Sequence, residues 1–166
     1  SKNLIIIGPK GSGKSSIFSL LTTGSHNNYT DNGACGINNG FMRSQSYHKK
    51  KVMNVFEIGS DIENIVLINT LLNNENFEFT TLLLILDFED PSSQLNYLLK
   101  SISYLRKIIN KLIDSNDIDN NIKNKINKYL SGKKPDEVDI FPLETYVIGN
   151  KYHILEKIDI WKLKWP

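Results

Sequence analysis

Residues 3–15 limit the possible folds more than any other stretch of this chain. Asn3-Leu4-Ile5-Ile6-Ile7 is a short apolar run, and Gly8-Pro9-Lys10-Gly11-Ser12-Gly13-Lys14-Ser15 follows it without a break. The spacing is G-x-x-x-x-G-K-[ST], set between an apolar strand and an apolar helix (Ile17, Phe18, Leu20, Leu21). That is the context in which such a loop cradles phosphate. Gly8 and Gly13 carry no Cβ, so the backbone there can take left-handed angles and come close to a ligand. Backbone N–H groups from Gly11, Ser12, Gly13, Lys14, Ser15 and Ser16 converge on phosphate oxygens, and the helix starting near Lys14 adds the positive end of its dipole. Lys14 is placed to reach β- and γ-phosphates, and the Ser15 hydroxyl to ligate Mg²⁺. An ordinary glycine-rich turn would leave the Lys14-Ser15 pair without a reason.

Composition sets outer bounds. The 166 residues suit one α/β domain with a real core, and 40% hydrophobic against 23% charged residues describes a globular chain. A net charge of +2 is too small to point to nucleic acid. Cys35, the one cysteine, has no internal partner and no motif around it, which favours a reducing compartment and argues against a zinc cluster or a catalytic thiol. The apolar runs are too short to span a bilayer, so membrane insertion is not expected. Asn, Lys and Ile are over-used throughout, which weakens any functional reading of Asn or Lys clusters.

Along the chain, residues 22–50 are polar and read as one long connection. In a P-loop GTPase a threonine from this region completes the Mg²⁺ shell; Thr30 is a candidate with nothing around it to single it out. His48-Lys49-Lys50-Lys51 reads as a solvated loop tip. Val52-Met53-Asn54-Val55-Phe56 is a strand running into Glu57-Ile58-Gly59. A GTPase carries D-x-x-G here, with the glycine N–H sensing the γ-phosphate, so Gly59 is a candidate sensor. Counting back from Gly59, the aspartate position holds Phe56, and the water-positioning glutamine after the glycine is replaced by Ser60. Glu57 lies one place off the expected acid and could reach a metal through water.

Asp61–Leu72 has helical apolar spacing (Ile62, Ile65, Val66, Ile68, Leu72). Phe79 to Leu86 is a continuous apolar run, as in a central parallel strand. It ends at Asp87, which could serve a metal or cap the loop. Asp90-Pro91 makes a good helix start. The next helix carries one apolar stripe, Leu95, Leu98, Leu99, Ile102, Leu105, Ile108, Ile109 and Leu112, to about Ile113. A further amphipathic helix (Ile118, Ile122, Ile126, Tyr129, Leu130) precedes the break at Ser131-Gly132-Lys133-Lys134-Pro135. Thr145-Tyr146-Val147-Ile148 is the last strand, ending in Gly149-Asn150-Lys151-Tyr152-His153. GTPases place N-K-x-D here. Asn150 and Lys151 match, but His153 cannot make the two hydrogen bonds an aspartate gives guanine, which should cost several kcal/mol and blunt base selectivity. No S-A-K base motif, final strand or final helix follows before Pro166, so a C-terminal part of the domain is expected to lie outside this sequence.

The expected architecture is therefore a three-layer Ras-like P-loop NTPase domain: a mostly parallel sheet, helices on both faces, and a helical insertion before the N-K-x-D strand. Phe56-Glu57-Ile58-Gly59, Leu84-Ile85-Leu86-Asp87 leading to Asp90-Pro91, the inserted helix, Asp139-Ile140-Phe141-Pro142-Leu143 and Val147-Ile148-Gly149-Asn150-Lys151-Tyr152 together resemble the dynein light intermediate chains, nearest to those of cytoplasmic dynein 2. That family has W-E-[LI]-G at switch II and F-P-x-P-x-V-I-I-G-[SN]-K-Y-D at the later strand; Phe56 and His153 depart from it. The resemblance implies a non-catalytic subunit whose Ras-like domain packs on the dynein heavy chain among other dynein subunits. It would act in microtubule-based and intraflagellar transport, in the cytoplasm, on the cytoskeleton and in cilia or flagella. GTP or GDP with Mg²⁺ would be the ligand if one is held. The alternative is a working Ras- or Rab-like switch that uses the intact P-loop. A P-loop kinase or ATPase would need a lid arginine and an acceptor base, and no convincing pair is present.

Overall fold

The computed structural model describes residues 2–24, 36–43, 51–73, 75–114, 120, 123–124 and 143–151. Five strands form one sheet in the order β2-β3-β1-β4-β5. They are β1 (Lys2–Ile7), β2 (Ile37–Arg43), β3 (Val52–Ile58), β4 (Thr80–Asp87) and β5 (Glu144–Asn150). β1 pairs in parallel with β3 and β4, and β4 with β5, while β2 runs antiparallel to β3. Among the described residues, the α-helices α1 (Lys14–Thr23), the short α2 (Ile68–Leu71) and α3 (Pro91–Asp114) accompany them.

Side chains alternate across a strand, so the unbroken apolar runs of β1 and β4 serve two cores at once. Ile5, Ile7, Ile58, Leu82, Leu84 and Leu86 face one side, where they meet Ile65, Ile68, Leu105, Ile108 and Ile109. Ile6, Val55, Leu83 and Ile85 face the other, under Phe18 of α1. Helices therefore cover both faces, as expected.

The differences from expectation are local. Residues 37–43, read as part of a loop, form the β2 strand. Residues 61–72 are not one α-helix: a 3₁₀ segment, Ile62–Leu67, passes into α2. The α3 stripe splits, because Leu95 and Leu99 are 60% and 59% exposed while Gln94 and Ser101 are buried. Asp90 caps α3 as expected: its Oδ1 accepts from the Ser92 hydroxyl at 2.9 Å and the Ser93 N–H at 3.4 Å. Hydrogen bonds from Ser93 and then Ser92 hold its carboxyl below the ordinary value. Of the expected inserted helix, residues 120, 123 and 124 are described, each helical. The rest of it, together with Thr30, Cys35, His48 to Lys50, Asp139 to Pro142 and Tyr152-His153, lies outside the described residues.

Candidate functional site

The loop between β1 and α1 sits at the C-terminal end of the sheet, where open α/β folds hold their ligands. Two glycines fix its shape for different reasons. Gly13 caps α1 in the left-handed region at φ 91°, and a Cβ there would stand 2.3 Å from Asn150 Nδ2. Gly8 is not left-handed, contrary to expectation. It is glycine because a Cβ would stand 2.3 Å from the Ile85 carbonyl oxygen, where β4 passes closest. Gly11, at φ 79°, borders Asp87. Ser12 is fully buried, and its hydroxyl has no hydrogen-bond partner among the described residues. Ser16 is exposed on the first turn of α1.

Lys14 and Ser15 begin that turn. Lys14 is 4% exposed, and its ammonium donates to the Pro9 carbonyl at 2.9 Å and the Ser60 hydroxyl at 3.1 Å. Burial lowers its pKa from the ordinary value, and the Glu57 carboxylate opposes that shift. The Ser15 hydroxyl donates to Glu57 Oε1 at 2.5 Å, and Asn38 Nδ2 donates to Glu57 Oε2 at 3.0 Å. Glu57 itself is 1% exposed. The Gly59 N–H, expected to face a γ-phosphate, donates instead to the Gly36 carbonyl at 2.7 Å. The structure thus brings Lys14, Ser15, Glu57, Asn38 and Ser60 together. The position counted as the missing acid, Phe56, packs into the opposite core.

At the end of β5 the geometry differs. Asn150 Nδ2 donates to the Ser12 carbonyl at 2.8 Å, which ties this strand to the loop. Its Oδ1 accepts from the Lys151 N–H at 2.8 Å, and Lys151 is held at φ 61°. The Lys151 ammonium, expected to pack on a base, donates to Asp87 Oδ2 at 2.7 Å and Glu89 Oε2 at 2.6 Å. The hydrogen bonds it donates to Asp87 and then to Glu89 raise its pKa. Asp87 is accordingly a loop carboxylate rather than a partner of Ser15: its Oδ1 also accepts from the Glu89 N–H at 2.9 Å. Among the described residues no group of three or more His, Cys, Asp or Glu side chains could hold a metal ion by itself. None of the described helices is long and apolar enough to cross a membrane.

Sequence reasoning gave Glu57 little weight and missed Asn38, Ser60 as a partner of Lys14, and the Asp87–Lys151–Glu89 group. Strand parity was the available signal for Glu57. Val55 is an apolar residue on the α1 side, so residue 57 faces the same way and residue 56 does not.

The family model for "Dynein light intermediate chain (DLIC)" matches residues 1–142. The chain belongs to the dynein light intermediate chain family. A solved structure described as "Crystal Structure of the Dynein Light Intermediate Chain's Conserved Domain" superposes with a TM-score of 0.63 at 15% identity. The match covers 98% of this chain and 59% of that one. At that identity the likeness speaks for the fold: the mixed α/β, mostly parallel sheet of this family's Ras-like domain. No curated protein matches the sequence.

Proposed function

We propose that this chain is the GTPase-like portion of a non-catalytic dynein subunit, a light intermediate chain of the dynein 2 class that docks on the heavy chain and serves intraflagellar transport. Membership of the light intermediate chain family is the observation that carries this reading. The dynein 2 assignment rests on the segments around Glu57-Ile58-Gly59 and Val147 to Tyr152. On it, the protein works in the cytoplasm on the microtubule cytoskeleton and in cilia or flagella. Capture of the tagged full chain from ciliated cells tests it. Recovery of the dynein 2 heavy chain supports it; recovery of the dynein 1 heavy chain alone would move it to the other class; recovery of neither would overturn the subunit reading.

The same domain is proposed to hold GTP or GDP with Mg²⁺. The fit of the residues supports this: the left-handed Gly13 opens α1 toward an anion, the buried Ser12 hydroxyl has no partner among the described residues, and Lys14 and Ser15 stand on the same turn. Gly11, Ser12, Gly13, Lys14, Ser15 and Ser16 would hold the phosphates. Bound Mg²⁺ would neutralise phosphate charge, and Ser15 would be its protein ligand. Splitting GTP is not expected, because Ser60 stands where a glutamine would position water and its hydroxyl is already an acceptor for Lys14. The competing reading, an active Ras- or Rab-like switch, predicts slow GTP turnover that a partner protein accelerates. Single-turnover assays with and without dynein subunits separate the two.

A further inference from the structure

We propose that Tyr97 and Ser101 of α3 are positioning residues for the phosphate loop, their buried hydroxyls supporting its backbone at Gly8. This rests on the nucleotide reading above. The buried stripe of α3 runs through Gln94, Tyr97, Ser101, Leu105 and Ile108, at helical spacing. Leu105 and Ile108 are apolar, as packing alone requires, but the members nearer the loop are polar. Gln94 has its reason, since its Oε1 accepts from the Asp87 N–H at 2.9 Å. The Tyr97 and Ser101 hydroxyls are buried and have no hydrogen-bond partner among the described residues. Native folds keep few such groups. Phenylalanine and alanine would fill the same space without burying a hydroxyl.

The surroundings of the Tyr97 hydroxyl give the pair a use. Burial raises its pKa to about 12; the Ser101 hydroxyl and then the Gly8 backbone oppose that shift, and the Asp61 charge adds to it. A neighbour that favours the phenolate is a donor, so the Ser101 hydroxyl and the Gly8 N–H both face the Tyr97 oxygen. Neither contact reaches hydrogen-bond geometry, and contacts in binding sites are often long until a ligand tightens them. Gly8 precedes Pro9, and Asp61 follows Ser60. Pro9 and Ser60 are the two groups that hold the Lys14 ammonium. Tyr97 therefore stands beside both segments that place the lysine proposed to grip phosphate. Gly8 is also confined by β4, since a Cβ there would stand 2.3 Å from the Ile85 carbonyl oxygen. The Tyr97 hydroxyl adds a second limit, from α3, on where the loop backbone can sit.

The bland alternative is that both hydroxyls are incidental to a packing face. The two differ in whether affinity moves apart from stability. The full chain is titrated with a fluorescent GDP analogue in Mg²⁺, and urea midpoints are measured at neutral pH. Tyr97→Phe is expected to weaken analogue binding about 3–10-fold, as for the loss of one hydrogen bond, with the urea midpoint unchanged or raised. Ser101→Ala should weaken it by less, about two- to threefold, again with no loss of stability, and it serves if Tyr97→Phe does not fold. Wild-type affinity in both variants overturns this proposal alone. So does a loss of affinity that comes only with a lower urea midpoint, which would mark a packing defect. No analogue binding by wild type overturns the nucleotide reading and this proposal with it.

Discussion

The two ends of the site, both at the C-terminal edge of the sheet, have been treated differently. At the β1–β3 end, two hydrogen-bonded sets lie around the mouth of the loop: Lys14 with Ser60, and Glu57 with Ser15 and Asn38, with only Lys14 and Glu57 fully buried. At the β5 end, Asn150 still binds the loop through Ser12, but Lys151 is given over to Asp87 and Glu89. One end gathers the residues proposed to grip phosphate. At the other, the lysine expected to pack on a base donates to two carboxylates, Asp87 and Glu89. The difference teaches that a motif read from residue types alone does not give the contacts its side chains make. Asn150-Lys151 reads as a base motif in sequence and behaves as a brace in structure.

The comparison is broken most severely at Lys14. Lys14→Ala should lower nucleotide affinity by more than about 100-fold, the loss of two charge-assisted bonds, while the thermal transition stays cooperative; retained affinity by calorimetry would refute the phosphate assignment. Next come the glycines. Gly8→Ala and Gly13→Ala should each destabilise the fold by about 1–3 kcal/mol in urea, since each new Cβ meets an atom at 2.3 Å. Gly13→Ala should be the more damaging to binding, because it also strains the left-handed cap. Lys151→Ala should matter less: below about 1 kcal/mol of stability, decreasing with salt, and a change in phosphate affinity of less than about threefold.

The smallest expected effect sharpens the picture below the loop. Burial pushes Tyr97 up to about 12. A group with a raised folded pKa keeps its proton in the fold after the unfolded chain has lost it, so the stability it contributes is present below pH 10 and falls as pH rises toward 12. The urea midpoint of wild type should therefore drop relative to Tyr97→Phe across that window and not below it.

Much of this was legible in the residues. The β1–loop–α1 unit and the β4 strand announce themselves, because a strand buried on both faces must be apolar throughout. β2 was not legible. Ile37-Asn38-Asn39-Gly40-Phe41-Met42-Arg43 has β3 as its described neighbour and carries polar residues that a buried strand could not. The 3₁₀ segment escaped because a few turns of apolar spacing do not separate three residues per turn from 3.6. In α3, chemical type misled: Gln94 is buried because its Oε1 accepts from the Asp87 N–H at 2.9 Å, whereas Leu95 faces out. Counting back from Gly59 points to Phe56, whereas the alternation of β3 turns residue 57, not 56, toward α1.

The central claim is that the phosphate end grips and the base end no longer discriminates. Calorimetric titration of the full chain with GDP and with ADP, in Mg²⁺ at one salt concentration, tests it most directly. The account predicts binding of both, with dissociation constants within about tenfold of each other, or 1.4 kcal/mol. A preference for GDP of about 1,000-fold or more would contradict it.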